Sequence, residues 1–213
     1  MSAGRKFIAA LLTALCLGLA SGAGAADLLE GRDYRELTPP LAPEKNRIEV
    51  IEFFWYGCPH CFDFEPVLTS WIKKLPADVM FRRVPAVFPN DKWAPSARIY
   101  YTLEAMNLID RLHGEVFHAM HVERKRLDDD KVLLQWLAGN GVDTRQFKET
   151  WSSFGVQTRV HQAREMTKAA ALGGVPAVVV QGRYQAIIPG NYDGLIEIVD
   201  QLIARVRAES GRK

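Results

Sequence analysis

Cysteine is scarce in this sequence, which has only Cys16, Cys58 and Cys61 in 213 residues. Cys16 lies in the apolar N-terminal run, so Cys58 and Cys61 are the one pair left for the folded protein. A pair this close in sequence closes too short a loop to stabilise a fold much, which argues against a disulfide-stapled domain. A zinc site needs about four ligands, so it is disfavoured as well. The two cysteines are therefore expected to take part in thiol–disulfide exchange rather than to form a permanent structural disulfide.

Long hydrophobic runs are also missing, apart from Phe7–Ala20, and this run is too short to span a bilayer comfortably. Arg5 and Lys6 precede it, and an Ala-Gly-Ala cleavage pattern follows at positions 23–25. Basic start, apolar centre and small-residue end are typical of a secretory signal. We predict a signal peptide at 1–25 that is cleaved. An uncleaved membrane anchor is the alternative.

An excess of charge of either sign is absent too. Lys and Arg total 27 and Asp and Glu total 25, giving a formal net charge of +2. The predicted signal peptide contains two basic residues and no acidic one, so the remainder is formally neutral. This balance disfavours nucleic acid and strongly anionic membranes as partners. With 48% hydrophobic residues, the mature chain is expected to be soluble with a sizeable core.

The hydrophobic pattern after the signal predicts an α/β fold. Five strands are predicted, at Tyr34–Leu37, Arg47–Trp55, Val79–Val84, Val175–Val180 and Tyr184–Ile188. A first helix is predicted from Pro59 to about Leu75, kinked at Pro66. Five helices are predicted in succession, at Trp93–Leu108, Leu112–Val122, Asp130–Ala138, Thr144–Ser152 and Val156–Leu172. Turn residues 189–191 are expected to open a last helix to about Ala208.

Short signals punctuate this helical stretch. Gly114, Gly139–Gly141 and Gly155 are expected to separate helices. Asp128 or Asp129, and Asp143, are the expected N-caps of two of them. Gln181-Gly182 is expected to form a tight turn between the last two strands, which would make them a hairpin.

The motif Cys58-Pro59-His60-Cys61 directly follows the strongest strand prediction and opens the first helix. Unpaired N–H groups and the positive end of the helix dipole favour a thiolate at Cys58. His60 can add a positive charge or a hydrogen bond, which lowers the pKa of Cys58 further. Pro59 lacks an N–H and fixes a helical φ. Cys61, one turn later, is expected to be buried and less acidic.

These residues carry a family resemblance. The run from Phe53 through the Cys-Pro-His-Cys motif resembles the active site of the DsbA family of periplasmic thiol:disulfide oxidoreductases, in the thioredoxin superfamily. The segment Gly174–Ala177 resembles that family's cis-proline loop. The resemblance implies a thioredoxin fold, at 26–89 and 172–213, with an inserted all-helical domain at 90–171. Pro66 instead resembles the kink proline of thioredoxin itself.

The resemblance also implies a function. The Cys58–Cys61 disulfide would be donated to newly exported polypeptides, with no cofactor besides that couple. A DsbB-like quinone reductase of the inner membrane would then reoxidise the protein, which is expected to be a periplasmic monomer. A thiol reductase or isomerase is the alternative within the same fold. A non-catalytic peptide-binding chaperone is the alternative from another class.

The resemblance also implies roles for further site residues. Glu52 interrupts an apolar strand and matches the family's buried glutamate, which would move protons beneath Cys61. A solvent-facing carboxylate is the alternative for Glu52, and a solvated turn histidine for His60. Pro176 is expected to be cis, so that the backbone of Val175 faces Cys58 and offers itself to a substrate strand.

Three other groups of residues have weaker signals. Five residues could either form part of an apolar peptide-binding patch or belong to the ordinary core: Trp55, Tyr56, Phe62, Phe88 and Pro89. Solvated helix surface is favoured over a metal site for four histidines: His113, His118, His121 and His161. The stretch 123–130 carries cations followed by acids, and is expected to be a charged interhelical loop whose signs cancel.

Overall fold

The computed structural model of this protein describes residues 28–43, 46–88 and 90–211. The predicted signal peptide at 1–25 lies outside these residues. Within these ranges there are five strands: β1 (Tyr34–Glu36), β2 (Ile48–Phe54), β3 (Val79–Pro85), β4 (Ala177–Val180) and β5 (Tyr184–Ala186). Seven helices are described: α1 (Pro59–Ile72), α2 (Ala94–Ala105), α3 (Ile109–His121), α4 (Asp130–Gly139), α5 (Thr144–Trp151), α6 (Phe154–Ala169) and α7 (Tyr192–Glu209).

The strands form one mixed sheet in the order β1-β5-β4-β2-β3. β2 pairs in parallel with β3 and antiparallel with β4, while β5 pairs antiparallel with both β4 and β1. The parallel β2–β3 pair is joined through α1, as expected for strands that need a helical crossover. β2 is therefore an interior strand, and every residue in it is buried.

The sheet is covered on both faces, which explains why β2 is apolar almost throughout. Alternate residues of β2 and β4 join two different hydrophobic clusters: Val50 packs with α1 and α7, and Ile51 packs with the helices between β3 and β4. On the first face, the indole N–H of Trp71 in α1 donates to Asp200 of α7 at 2.8 Å. The redox motif begins where β2 leaves this double-sided core.

Helices α2 to α6 run consecutively between β3 and β4, as the sequence predicted. The predicted caps Asp129 and Asp143 accept hydrogen bonds from the first turns of α4 and α5. This stretch shares one hydrophobic cluster with β2 and β4. The division of the chain at 90 and 171 therefore stays a prediction.

Two expected helix breaks were wrong. Gly114 lies in the middle of α3 and Gly155 in the first turn of α6. α3 begins at Ile109, ahead of the predicted start, and α6 begins after Ser153, whose hydroxyl caps it. A glycine costs a helix only about 1 kcal/mol relative to alanine, so packing on either side of it prevails.

The remaining boundaries differ by a few residues. β4 begins at Ala177 rather than Val175, because Pro176 precedes it and has no N–H to offer the sheet. β5 ends at Ala186 rather than Ile188. The predicted turn at Gln181 and Gly182 is confirmed, with φ of 52° and 63°, the positive values that a tight type I′ hairpin turn requires.

α1 ends at Ile72, earlier than the predicted Leu75. Pro66 lies inside the helix and cannot donate to the carbonyl four residues before it. The kink itself stays a prediction. Among the described residues, no helix combines the length and apolar character that a bilayer crossing requires.

Candidate active site

β2 delivers Cys58 to the N-cap of α1. The turn is closed by the Cys58 N–H, which donates to the Trp55 carbonyl at 2.9 Å. Cys58 is the N-cap of α1, with extended backbone angles (φ −90°, ψ 116°). Its Sγ accepts a hydrogen bond from the Cys61 N–H at 3.4 Å. A cysteine thus takes the capping role that is usually filled by a side-chain oxygen.

This geometry lowers the pKa of Cys58 to about 6. The largest cause is a hydrogen bond from the Cys61 thiol, and the backbone N–H groups of Cys61 and His60 and the charge of His60 add to it, against the opposing effect of burial. Cys58 is 7% exposed. The site therefore stabilises a thiolate at a position that retains a narrow opening to solvent.

Cys61 has the opposite environment. It is fully buried, and burial followed by its hydrogen bond to Cys58 raises the pKa of its thiol far above the usual range. Both cysteines are free thiols in this structure. The pair therefore consists of one acidic sulfur with a narrow opening to solvent and one fully buried sulfur that retains its proton.

Glu52 is fully buried, so the solvent-facing alternative was wrong. Burial raises its pKa to about 8, partly offset by the charge of Arg83 and reinforced by Glu65 and Cys58. Arg83 is directly opposite on β3, and its Nε lies 3.2 Å from Oε2 of Glu52. No described protein group donates a well-aligned hydrogen bond to either Glu52 oxygen. The carboxyl group is therefore free to gain or lose a proton.

A buried polar chain continues from Arg83 to α3. The guanidinium also contacts Glu65 of α1, with Nη2 3.1 Å from Oε2. Glu65 contacts His113 Nε2 at 3.1 Å, and His113 Nδ1 lies 2.8 Å from the Tyr56 hydroxyl. Because a carboxylate only accepts, Nε2 carries the proton and Nδ1 accepts from Tyr56.

The ionisation states of the groups in this buried polar chain are consistent with one another. Burial raises the pKa of Glu65, but the hydrogen bond from His113 and the charge and hydrogen bond of Arg83 outweigh it and hold the pKa below the usual range. Burial lowers the pKa of His113, which keeps the imidazole neutral. Sequence reasoning missed Arg83, Glu65 and His113. The one available signal was an arginine inside a predicted strand beside the strand carrying Glu52.

The Val175–Pro176 peptide bond is cis, as the resemblance implied. The Cys58 Sγ lies 3.5 Å from the Val175 carbonyl oxygen. Val175 and Pro176 line a groove of about 360 Å³ together with His60 and Tyr192. The Tyr192 hydroxyl donates to the His60 carbonyl at 2.9 Å. His60 and Pro59 are both exposed, so the motif and the cis-proline loop form one surface around Cys58.

The aromatic residues near the motif divide between core and surface. Tyr56 is fully buried, so its core reading is confirmed. Trp55, Phe62 and Phe88 are partly exposed and pack against the core. Trp55 stacks on Trp93, with ring centroids 4.5 Å apart and an interplanar angle of 1°. Pro89 lies outside the described residues.

The expectation of solvated histidines was wrong for His113, which is 7% exposed. His121 is partly buried: its Nε2 donates to the Tyr56 carbonyl at 2.7 Å and its ring stacks on Phe62. His118 and His161 are exposed. Within the described ranges, no group of three or more His, Cys, Asp or Glu side chains is placed to hold a metal ion.

Comparisons with known proteins agree with this geometry. A family model described as DSBA-like thioredoxin domain matches residues 77–195. The thiol:disulfide interchange protein DsbA of Bordetella pertussis is 42% identical over 202 residues, covering 92% of this chain and 96% of the relative. The Pseudomonas aeruginosa protein of the same name is 37% identical over 207 residues, covering 96% and 98%.

Solved structures give the same result. The crystal structure of Pseudomonas aeruginosa DsbA matches with a TM-score of 0.82 at 38% identity, covering 88% of this chain and 98% of that one. The oxidoreductase DsbA from Xylella fastidiosa matches with a TM-score of 0.79 at 32% identity, covering 85% and 98%. The chain therefore belongs to the DSBA-like thioredoxin domain family, with the thioredoxin fold and helical insertion of its DsbA neighbours, and is a thiol:disulfide oxidoreductase.

Proposed function

We propose that Cys58 and Cys61 are the redox couple and that the protein works as an oxidase, donating their disulfide to exported polypeptides. The observation that carries this proposal is the asymmetry of the pair: the pKa of Cys58 is lowered to about 6 at a helix N-terminus, while Cys61 is fully buried. A helix N-terminus favours the thiolate through its N–H groups and dipole.

The asymmetry sets the direction of the reaction. A thiolate exists only in the dithiol protein, so every interaction that stabilises it favours reduction of the protein's disulfide. A protein whose reduced form is stabilised gives its disulfide to others. The same low pKa makes Cys58 a good leaving group when a mixed disulfide is resolved.

The exchange takes place in two steps. A substrate thiolate attacks the Cys58 sulfur of the oxidised protein; a bond forms between these sulfurs, and the Cys58–Cys61 bond breaks with its electron pair leaving on Cys61. A second substrate thiolate attacks the first substrate sulfur and expels Cys58 as a thiolate. The substrate loses two electrons and gains a disulfide, while the protein becomes a dithiolate that takes up a proton at Cys61.

Glu52 is the proposed source of that proton. At neutral pH its raised pKa of about 8 keeps the carboxyl group protonated. Cys61 has a much higher pKa than Glu52, so transfer from the carboxyl group to the Cys61 thiolate is downhill. Arg83 then stabilises the carboxylate from its position 3.2 Å away. His60 and Pro59 act at Cys58, through charge and through the conformation of the first helical turn.

Val175 and Pro176 are the proposed substrate-binding residues. The loop lies against the Cys58 sulfur and lines the groove with Tyr192. An extended substrate segment can pair with the Val175 backbone, a mode in which main-chain hydrogen bonds supply affinity without sequence preference. Such binding suits a protein that acts on many unfolded chains.

The setting is proposed from the signal sequence and the family. Residues 1–25 direct export and are removed, and the protein works in the periplasm, where disulfides persist. A DsbB-like quinone reductase in the inner membrane reoxidises it. The protein is a monomer, and needs no cofactor besides its own disulfide.

A single-turnover experiment tests the oxidase role. The oxidised protein is mixed with a reduced, unfolded polypeptide containing two cysteines. Both partners are then alkylated, and the number of free thiols in each is read by mass spectrometry. We expect one substrate disulfide for each Cys58–Cys61 pair reduced, and none with Cys58→Ser. Disulfide formation by Cys58→Ser would rule out the mechanism. Unimpaired cellular function of that variant would favour the chaperone. Reduction of an oxidised polypeptide by the dithiol protein, with no oxidation of the reduced polypeptide by the disulfide form, would favour a reductase.

A further inference from the structure

A second cleft adjoins the redox motif and has no part in the mechanism above. It has a volume of about 340 Å³, and Trp55 and Gly57 form part of its wall. Gly57 is the residue directly before Cys58. The cleft shares no lining residue with the groove formed by Val175 and Pro176. The reactive sulfur is thus adjacent to two separate depressions.

The cleft is built where the end of α3 is tied to the redox motif. α3 ends at His121, whose Nε2 donates to the Tyr56 carbonyl at 2.7 Å, and whose ring stacks on Phe62 of α1 with centroids 5.1 Å apart. Three residues later the chain turns at Arg124, which has a φ of 56°. The turn places Arg124 in the lining of the cleft beside Gly57.

Most charges in this loop cancel in pairs, as the sequence predicted, and Arg124 is the exception among its cations. Lys125 forms an ion pair with Glu123 at 2.5 Å, and Arg126 forms one with Asp128 at 3.1 Å. Arg124 has no ion-pair partner among the described residues. Lys92, from the segment before α2, also lines the cleft. It likewise has no ion-pair partner within the part of the chain that the structure describes.

The cleft also has an apolar side. Trp55 lines it and is held in place by parallel stacking on Trp93. Ile99 and Met120 complete this side. A volume of about 340 Å³ equals roughly ten water molecules, which suits one or two side chains rather than a folded surface. The lining also contains Lys125, Arg126 and Asp128, so its cations outnumber its acids. Apolar walls beside two unpaired cations fit the methylenes and carboxylate of an acidic side chain.

We propose that this cleft binds an acidic side chain of the substrate polypeptide, close in sequence to the cysteine that reacts with Cys58. The inference rests on the oxidase function proposed above and adds a preference to it. Unpaired cations beside a reactive group raise the encounter rate of negatively charged partners, and repel positively charged ones. The effect must weaken with salt, because the screening length falls from about 8 Å at physiological ionic strength to about 3 Å at 1 M.

Three synthetic peptides test this preference. Each contains the same two cysteines, and the flanking residues are acidic, neutral amides or basic. The second-order rate constant for reduction of the pre-oxidised protein is measured for each at low and high salt. We expect the acidic peptide to react fastest and the basic one slowest at low salt, and the three to converge at high salt.

Charge reversal assigns the preference to the cleft. We expect Arg124→Glu to lower the ratio of acidic-peptide to neutral-peptide rate constants by about fivefold, since it removes an attraction and adds a repulsion. Lys92→Glu should act in the same direction. Lys74→Glu is the matched control: it makes the same charge change about 20 Å from the redox motif, just beyond the end of α1, and should leave the ratio unchanged.

A binding arm keeps this test separate from the oxidase proposal. An acidic peptide with serine in place of both cysteines is titrated into the isotope-labelled protein, and the Trp55 indole and Gly57 amide signals are followed. Saturable shifts that Arg124→Glu removes and Lys74→Glu retains support the inference, even if no peptide is oxidised. Equal rates for all three peptides, no shifts, or equal effects of Arg124→Glu and Lys74→Glu would overturn it. If Arg124→Glu weakens binding to anionic lipid vesicles but does not change peptide binding, the cleft is assigned to a membrane instead.

Discussion

Glu52 and Arg83 are register partners on the parallel strands β2 and β3, and the Arg83 Nε lies 3.2 Å from the Glu52 Oε2 inside the protein. The arginine is shared with Glu65, so the Glu52 carboxylate is only partly compensated. Burial therefore dominates and raises the pKa of Glu52 to about 8. We propose that the two residues exchange a proton with Cys61, rather than forming a permanent ion pair.

Replacing Glu52 by Gln should change how the stability of the reduced protein depends on pH. Between its unfolded pKa near 4.5 and its folded value of about 8, the folded state holds a proton that the unfolded chain has lost. Stability due to Glu52 therefore falls as pH rises through this window. We expect Glu52→Gln to be more stable than the parent at pH 8, by between about 1 and 5 kcal/mol, and to differ little at pH 5.

Denaturant unfolding of the dithiol protein at both pH values measures this difference. Glu65→Gln is the matched control: the pKa of Glu65 is lowered, so its replacement should reduce stability at neutral pH. Glu52→Gln should also slow the release of Cys61 at neutral pH. An unchanged pH dependence of stability would show that Glu52 does not titrate in this window.

Replacing His60 by Ala should raise the pKa of Cys58. The variant loses the charge of His60, but retains the Cys61 thiol and the backbone N–H groups that also stabilise the thiolate. We therefore expect a rise of less than about one unit and a weaker oxidant. Thiolate absorbance against pH gives the value, with Lys74→Ala, just beyond the end of the same helix, as the control. An identical titration curve would remove His60 from the account of Cys58 acidity.

Gly57 permits the close approach of Trp55 to the backbone. A Cβ atom at position 57 would clash with the Trp55 ring, which would have to leave its stacked position on Trp93. We expect Gly57→Ala to cost about 1–3 kcal/mol of folding stability and to change the near-ultraviolet circular dichroism of the tryptophans.

In contrast, Gly114→Ala meets open space in the middle of α3. It should stabilise the protein by about 0.5–1 kcal/mol, and destabilisation there would contradict the helical assignment.

His113 joins α3 to the redox region through Tyr56 and Glu65. His113→Leu leaves a buried hydroxyl and a carboxylate without this partner, so we expect a loss of about 2–4 kcal/mol at neutral pH. His113→Gln can still donate to Glu65 and should lose less. Because burial lowers the pKa of His113, stability from its neutral form is lost as pH falls below about 6.5. The Leu variant should lack this acid sensitivity in urea unfolding at pH 5 and pH 7.

Local signals explain which parts of this molecule the sequence could predict. A strand that ends before Cys58, a proline at the first helical position, and capping aspartates at 129 and 143 each act within a few residues, and the structure contains all of them. The burial of Glu52 was also predictable, because its neighbours in the strand are apolar.

Long-range partners were beyond such reasoning. The pairing of Glu52 with Arg83 depends on the register of β2 against β3, and a shift by one residue would turn Arg83 to the other face of the sheet. His113 reaches Tyr56 only through the packing of α3, and nothing in its own helical pattern reveals that partner. The unpaired Arg124 likewise depended on which neighbours form ion pairs.

The redox equilibrium of Cys58 and Cys61 against glutathione buffers tests the central claim most directly, with the fraction of free Cys58 read by alkylation. The account predicts that mildly reducing buffer already reduces the disulfide, because the dithiol form is stabilised at Cys58. A disulfide that resists reduction until the buffer is as reducing as a cytosol would contradict it. Such a result would mean that the protein is a reductase, or that the disulfide is structural.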